Sequence, residues 1–197
     1  SAMTSQEQFL QSLFQQPLVW VRCAKGKKEQ VVGKLKASSL PFIVSQHFPQ
    51  AIGLHPGVKL EDTGITDSGW AEIQDLSSQQ TLNDILPRPG EKWYDACAAS
   101  GGKSLLLMEK QPEVELTVSD LRPAMLENLN VRFQRNGIRQ YTAFSSDLSK
   151  ADSLLRYTGY FDGIIADVPC SGSGTWGRTP EQMCFFSSEK LGGGVGG

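Results

Sequence analysis

The sequence predicts an α/β protein in which a doubly wound parallel sheet, incomplete toward its C-terminal end, follows a small α+β module. Three observations carry this. Beyond Pro87-Arg88-Pro89-Gly90, strand-like and helix-like runs alternate, as successive βαβ units require. The four strand-like runs end in Asp95, Asp120, Asp147 and Asp167, and acidic residues at the carboxyl ends of parallel strands face one crevice. Before that Pro/Gly stretch the runs are shorter and separated by turn residues. The expected division is a module over residues 1–80 and the sheet domain over 81–197.

Composition is compatible with this. The chain has 197 residues, 39% of them hydrophobic and 20% charged, typical of a globular protein. No apolar run is long enough for a transmembrane helix, and no basic-then-apolar leader opens the chain, so no membrane partner and a cytoplasmic location are expected. Ser1-Ala2-Met3 resembles the remnant of a removed tag before a native Met. The formal net charge of −2 is not that of a protein gripping nucleic acid by bulk charge. Arg22, Lys25, Lys27, Lys28, Lys34 and Lys36 nevertheless cluster, either as a phosphate-facing patch or as a solvated hairpin face. Cys23, Cys97, Cys170 and Cys184 form no CxxC pair, and His47 and His55 have no companion ligands, so no metal site is expected and the thiols read as reduced.

The elements follow in order. Residues 4–16 place Phe9, Leu10, Leu13 and Phe14 on one helical face, ending at Pro17. Residues 17–25, 29–37 and 42–55 read as strands, Pro56-Gly57 as a turn, and 58–80 as strands leading into a helix. In the second part, 91–98 is a strand with Trp93 in the core, 100–110 a loop feeding a helix, and 114–120 a strand. Then 122–137 is a helix ended by Gly137, with Arg122 and Arg132 read as surface residues. Residues 141–147 form a third strand, 149–157 a weak helix and 161–168 a fourth strand. The glycine-rich end, 191–197, cannot sustain a helix. A sheet of four strands would leave the last with an unpaired edge, a route to self-association.

The loop from Asp95 to Ser104, "DACAASGGKS", has the chemistry of a ligand cradle. Its small residues, Ala96, Ala98, Ala99, Gly101 and Gly102, let a ligand approach the backbone, and Cys97 and Ser100 between them are read as part of the same cofactor-binding loop. The following helix offers free N–H groups, and Lys103 offers a charge suited to a carboxylate. Asp120, at the end of the second strand, is placed for both hydroxyls of a ribose, and Asp147 for an adenine amino group. A ligand with a carboxylate, a ribose and an adenine is S-adenosyl-L-methionine. The alternative is a glycine-rich turn with aspartates that merely cap helices.

"DACAASGGKSLLL", "VSDLRPAMLENL", "SSD" and "ADVPCSGSG", with the lead-in "IQDLSSQ" (Ile73 to Gln79), together resemble the Sun/nucleolar-protein family of S-adenosylmethionine-dependent RNA cytosine-C5 methyltransferases. The resemblance spans roughly residues 15–190. It implies a Rossmann-like class I methyltransferase sheet, an RNA-proximal module before it, and ribosomal RNA as substrate, with tRNA the alternative. Ser100 stands where the family usually has proline, and its hydroxyl is expected to cap the next helix.

C5 of cytosine is a poor nucleophile, so methylation there calls for a thiolate that adds to C6 and later leaves. Asp167 and Cys170, three residues apart beside the crevice, match parts of that chemistry. The resemblance implies that Asp167 contacts the cytosine and the reacting centre beside the cofactor, and that Cys170 releases the product. Cys170 as nucleophile or as a packing residue stays open. The family's nucleophile belongs to a Thr-Cys-Ser stretch that this chain does not contain, and Cys184 is a poor substitute beside Phe185-Phe186. The chain is therefore read as ending before the nucleophile, and a cofactor- or RNA-binding remnant is the rival to the enzyme. Trp176 and Arg178, after the Gly/Ser loop, would stack on or clamp RNA, or else anchor the loop.

Overall fold

Two four-stranded sheets, one antiparallel and one parallel, organise the chain in the computed structural model, which describes residues 5, 8, 16–150 and 155–168. Val19–Val168 form one compact unit that carries both sheets. The expected helix over 4–16 lies outside the described residues apart from positions 5, 8 and 16, and Cys170, Trp176, Arg178, Cys184 and the glycine-rich end lie outside them entirely.

The antiparallel sheet has the order β2-β3-β1-β4. β1 (Val19–Cys23) runs through its interior, pairing Val21 with Ile52 of β3 (Ala51–Leu54) and with Ile73 of β4 (Ala71–Ile73). β2 (Phe42–Val44) completes a hairpin with β3, so the expected strand over 42–55 is two strands separated by a turn around Phe48-Pro49. The Ser45 hydroxyl accepts from the Phe48 N–H in that turn.

The stretch 29–37, expected as a strand, is instead helical: α1 spans Lys28–Ala37. Val31 and Leu35 lie four residues apart and are both fully buried, which is the spacing of one helical face. Glu29 in the first turn and Lys34 and Lys36 in the last complement the helix dipole. Between β3 and β4 the chain makes only a short 3₁₀ turn at Glu61–Thr63, where strands were expected, and α2 (Leu76–Gln80) follows β4.

The parallel sheet has the order β7-β6-β5-β8. β5 (Lys92–Asp95), α3 (Gly102–Lys110), β6 (Glu115–Asp120), α4 (Pro123–Arg135) and β7 (Thr142–Ser145) step in one direction across it. β8 (Gly163–Ile165) then returns to the other side of β5. Right-handed crossovers therefore put α3 and α4 on one face, and the reversal of strand order opens a crevice at the carboxyl end of β5. Of the weak helix expected over 149–157, the described residues form a turn at 149–150 and a 3₁₀ turn at 155–157. Among the described residues β8 pairs only with β5, and Ile164 is exposed.

Each sheet has its own apolar core. Val21, Cys23, Val31, Leu35, Ile52 and Leu54 fill the first. Leu105, Leu107, Val118, Leu129, Phe133 and, as expected, Trp93 fill the second. Gly163 admits the Trp93 ring, because a Cβ there would lie 2.6 Å from three of its carbons. No helix among the described residues is long and apolar enough to cross a membrane.

Candidate functional site

The loop 96–101 connects β5 to α3 at the carboxyl end of the parallel sheet. Its path requires two left-handed residues close together: Ala99 at φ +45° and Gly101 at φ +82°. Gly101 meets both demands of its position, since a Cβ would also fall 2.6 Å from Phe133 Cε1 and 3.0 Å from Leu129 Cγ. The Ala99 turn is tied down by its N–H, which donates to Asp120 Oδ2 at 3.0 Å. The cap position of α3 is Gly101, which has no side chain to cap the first-turn N–H groups that lie at the loop.

Three acidic strand ends gather around this loop. Asp95 is buried, its Oδ2 accepting from Ser104 Oγ at 2.7 Å while Oδ1 has no partner among the described residues. Burial pushes its pKa up to about 6 against the opposing Ser104 hydrogen bond. Asp120 Oδ1 accepts from the Arg122 backbone N–H at 2.9 Å and from Nε at 3.1 Å. Burial opposes its ionisation, but the Arg122 and Ala99 hydrogen bonds prevail and hold its pKa below the ordinary value. Asp167 forms an ion pair with Lys103. The half-buried Cys97 thiol is raised by burial first and then by Asp120, Asp95 and Asp167, which places all four groups in one electrostatic neighbourhood.

Cys97, Ala98, Ala99, Ser100, Gly101, Gly102, Lys103, Asp120 and Asp167 thus lie together at the carboxyl end of the parallel sheet. Lys103 and Asp167, expected to act separately, neutralise one another. Asp120 already holds Ala99 and Arg122, so a ribose would have to share it with the backbone and displace the exposed Arg122 guanidinium. Asp147 lies beyond β7, where its Oδ1 accepts from Ser149 N at 3.1 Å and Oγ at 2.7 Å, closing its own turn. That hydroxyl bond leads the causes that lower its pKa.

Three readings are corrected. Ser100 does not cap α3; the cap position is Gly101, and Ser100 Oγ instead accepts from Arg132 Nη1 at 3.0 Å. Arg132 is not a surface residue: its side chain is 12% exposed, with Nε donating to Glu72 Oε2 at 2.8 Å. Arg22, expected to face RNA, is 3% exposed, its guanidinium held by Glu109 and by Gln74 Oε1. A guanidinium paired in this way is unavailable to a phosphate. Lys25 keeps an exposed position after β1.

Sequence reading missed the polar layer behind the loop. Gln74 Nε2 donates to the Gly102 carbonyl at 3.3 Å, and Asn136 Nδ2 to Glu72 Oε1 at 2.8 Å. The "IQDLSSQ" stretch contained the signal for Gln74, a buried amide just past a strand end; nothing local marked Glu72 or Asn136. The described residues hold no cluster of His, Cys, Asp and Glu fit for a metal, and Cys170, Trp176 and Arg178 lie outside them.

Comparison with known proteins places this geometry. The model of the 16S rRNA methyltransferase RsmB/F family matches residues 81–186. A ribosomal RNA small subunit methyltransferase B from Xylella fastidiosa (strain Temecula1) is 30% identical over 176 residues, covering 88% of this chain and 40% of that protein. The protein of the same name from Klebsiella pneumoniae (strain 342) is 26% identical over 173 residues, covering 85% of this chain and 39% of that one. The crystal structure of PH0851 superposes with a TM-score of 0.81 at 23% identity, over 93% of this chain and 42% of that one, a likeness of fold. The chain spans about two fifths of the length of these curated relatives. With more than half of its length matched, the parallel sheet and its loop included, the chain belongs to the 16S rRNA methyltransferase RsmB/F family.

Proposed function

We propose that this chain carries the cofactor-binding core of an enzyme that transfers a methyl group from S-adenosyl-L-methionine to C5 of cytosine in RNA, with ribosomal RNA as the substrate. The observation that carries this reading is the loop 96–101, held open by two left-handed residues at the carboxyl end of a parallel sheet and flanked by Asp95, Asp120 and Asp167. The residues present fit the cofactor's functional groups. The uncapped start of α3 suits a carboxylate, and Asp120 suits ribose hydroxyls. Asp95 Oδ1, buried without a partner among the described residues, marks a spot lacking a donor. Asp147 is proposed for the adenine side. The cofactor supplies an electrophilic methyl group; everything else falls to the chain and the RNA.

The names of the curated relatives support ribosomal RNA over tRNA. The module over 1–80 is proposed as the RNA-proximal part, with Lys25, Trp176 and Arg178 as RNA contacts. Asp167 is proposed to reach the cytosine by exchanging its partner Lys103, and Cys170 to free the product from a covalent adduct.

Calorimetric titration of the 197-residue chain with S-adenosylmethionine, and with S-adenosylhomocysteine alongside, tests the cofactor reading. Micromolar dissociation constants are expected. No heat of binding from a sample whose circular dichroism shows a folded α/β protein would overturn it. In the whole protein, Cys170→Ala should accumulate a slow-migrating covalent RNA–protein band; its absence assigns product release elsewhere.

A further inference from the structure

We infer that Arg132 is a positioning residue for the cofactor loop, and that the Glu72–Arg132–Ser100 line makes the antiparallel module a structural part of the cofactor site. This rests on the cofactor reading above.

The loop needs an external brace. Ala99 at φ +45° occupies a region that side-chain-bearing residues enter sparingly, and Gly101 follows at φ +82°. Such a path persists only where its surroundings over-determine it. Three groups grip it from different elements. Asp120 at the end of β6 holds the Ala99 N–H. Gln74, just past β4, holds the Gly102 carbonyl from the module side. Arg132 of α4 reaches Ser100 between them, donating from Nη1 to Oγ at 3.0 Å and toward the carbonyl at 3.4 Å.

Arg132 is itself aimed. Its Nε donates to Glu72, whose side chain is 9% exposed and whose other oxygen accepts from Asn136, one turn along α4. A guanidinium with a charged anchor on one side and a loop hydroxyl on the other behaves as a strut: its planar donors fix direction as well as distance. Gln74 is braced similarly, because its Oε1 accepts from the buried Arg22 Nε at 2.8 Å. Both struts begin on the antiparallel sheet and end on loop backbone or side chain. Neither Arg132 nor Glu72 needs to touch the ligand; they act through Ser100.

The test compares the wild-type chain with Ser100→Ala, Arg132→Gln and the double variant. Two readouts are taken: the S-adenosylhomocysteine dissociation constant, and amide hydrogen exchange at residues 99–102 in ligand-free protein. Arg132→Gln should weaken binding roughly tenfold and speed loop exchange by a similar factor, and Ser100→Ala should do part of both. The double variant should be no worse than Arg132→Gln alone, since both remove one interaction. Arg132→Lys should restore less than half of the loss, because an ammonium cannot serve Glu72 and Ser100 in one plane.

Binding within twofold of wild type and unchanged loop exchange in both single variants would overturn the inference, whatever happens to the melting temperature. If Arg132→Gln does not fold, Ser100→Ala, which removes one hydroxyl from the loop, decides alone. If the wild-type chain binds no ligand, the cofactor reading fails. The exchange rates of the ligand-free variants then still judge the strut.

Discussion

Gly101 shows how narrowly the loop constrains single residues. A methyl group there meets Phe133 and Leu129 at 2.6 and 3.0 Å, and φ +82° disfavours any L side chain. Gly101→Ala should cost about 2–3 kcal/mol in urea-monitored stability, the sum of a strained φ and overpacking. Gly33→Ala provides the contrast, because nothing lies within 4 Å of its added Cβ. Asp95 makes a prediction in pH. Its pKa is about 6 in the fold, against an ordinary value of 3.8. The native state therefore holds the extra proton between those values, and Asp95's contribution to stability is fullest below pH 4 and declines as pH rises to 6. The decline is about 3 kcal/mol for a shift of this size. The difference in unfolding free energy between wild type and Asp95→Asn should trace it, cancelling the carboxylates of lowered pKa, whose contributions run the opposite way. A flat difference between pH 4 and 7 would show that Asp95 stays ionised.

At the scale of elements, the parallel half was more legible than the antiparallel half, where the strands were found but the helix over 28–37 was not, for physical reasons. Strands buried on both faces and joined by amphipathic helices announce themselves by alternation, and glycines and small residues marked the turn after β5. In 29–37, Val31-Val32 and a central glycine mimic a strand, while the helical signal is only the four-residue spacing of Val31 and Leu35. The packing of those two residues under the sheet outweighs a weak intrinsic preference. Gly33→Ala should therefore raise stability by about 0.5–1 kcal/mol, as for an open mid-helix position. Leu35→Ala, which empties a fully buried site, should cost about 3 kcal/mol. Chemical denaturation measures both, and a destabilising Gly33→Ala would contradict α1. The acidic strand ends were legible as positions, but their partners were not: Lys103 with Asp167 and Arg122 with Asp120 are pairings that only the fold brings about.

At the scale of the whole molecule, two apolar cores are bridged by polar side chains: Arg22 to Glu109, Arg132 to Glu72, and Gln74 to the loop. Such bridges are invisible in sequence because their members lie far apart in it and each looks like a surface residue. They also couple the halves in a particular way. Arg22 is 3% exposed while Glu109 keeps 27% of its side chain in solvent, so removing the carboxylate leaves a buried guanidinium with Gln74 as its remaining side-chain partner among the described residues. Glu109→Ala should cost about 2–3 kcal/mol, below the full cost of breaking a wholly buried pair because water reaches Glu109. Replacing both members, Arg22→Met with Glu109→Met, should recover much of that loss, since the penalty comes from the stranded charge and not from the pair's absence. The same pair should govern cooperativity. Hydrogen exchange under mild denaturant should show β1 and β3 opening together with β5 and β6 in the wild type. In Glu109→Ala the antiparallel strands should open at lower denaturant than the parallel ones, which retain their own core of Leu105, Val118 and Phe133. If both sheets still open together, with the same loss of stability, the apolar surfaces flanking the bridge hold the halves together and the ion pair contributes only locally.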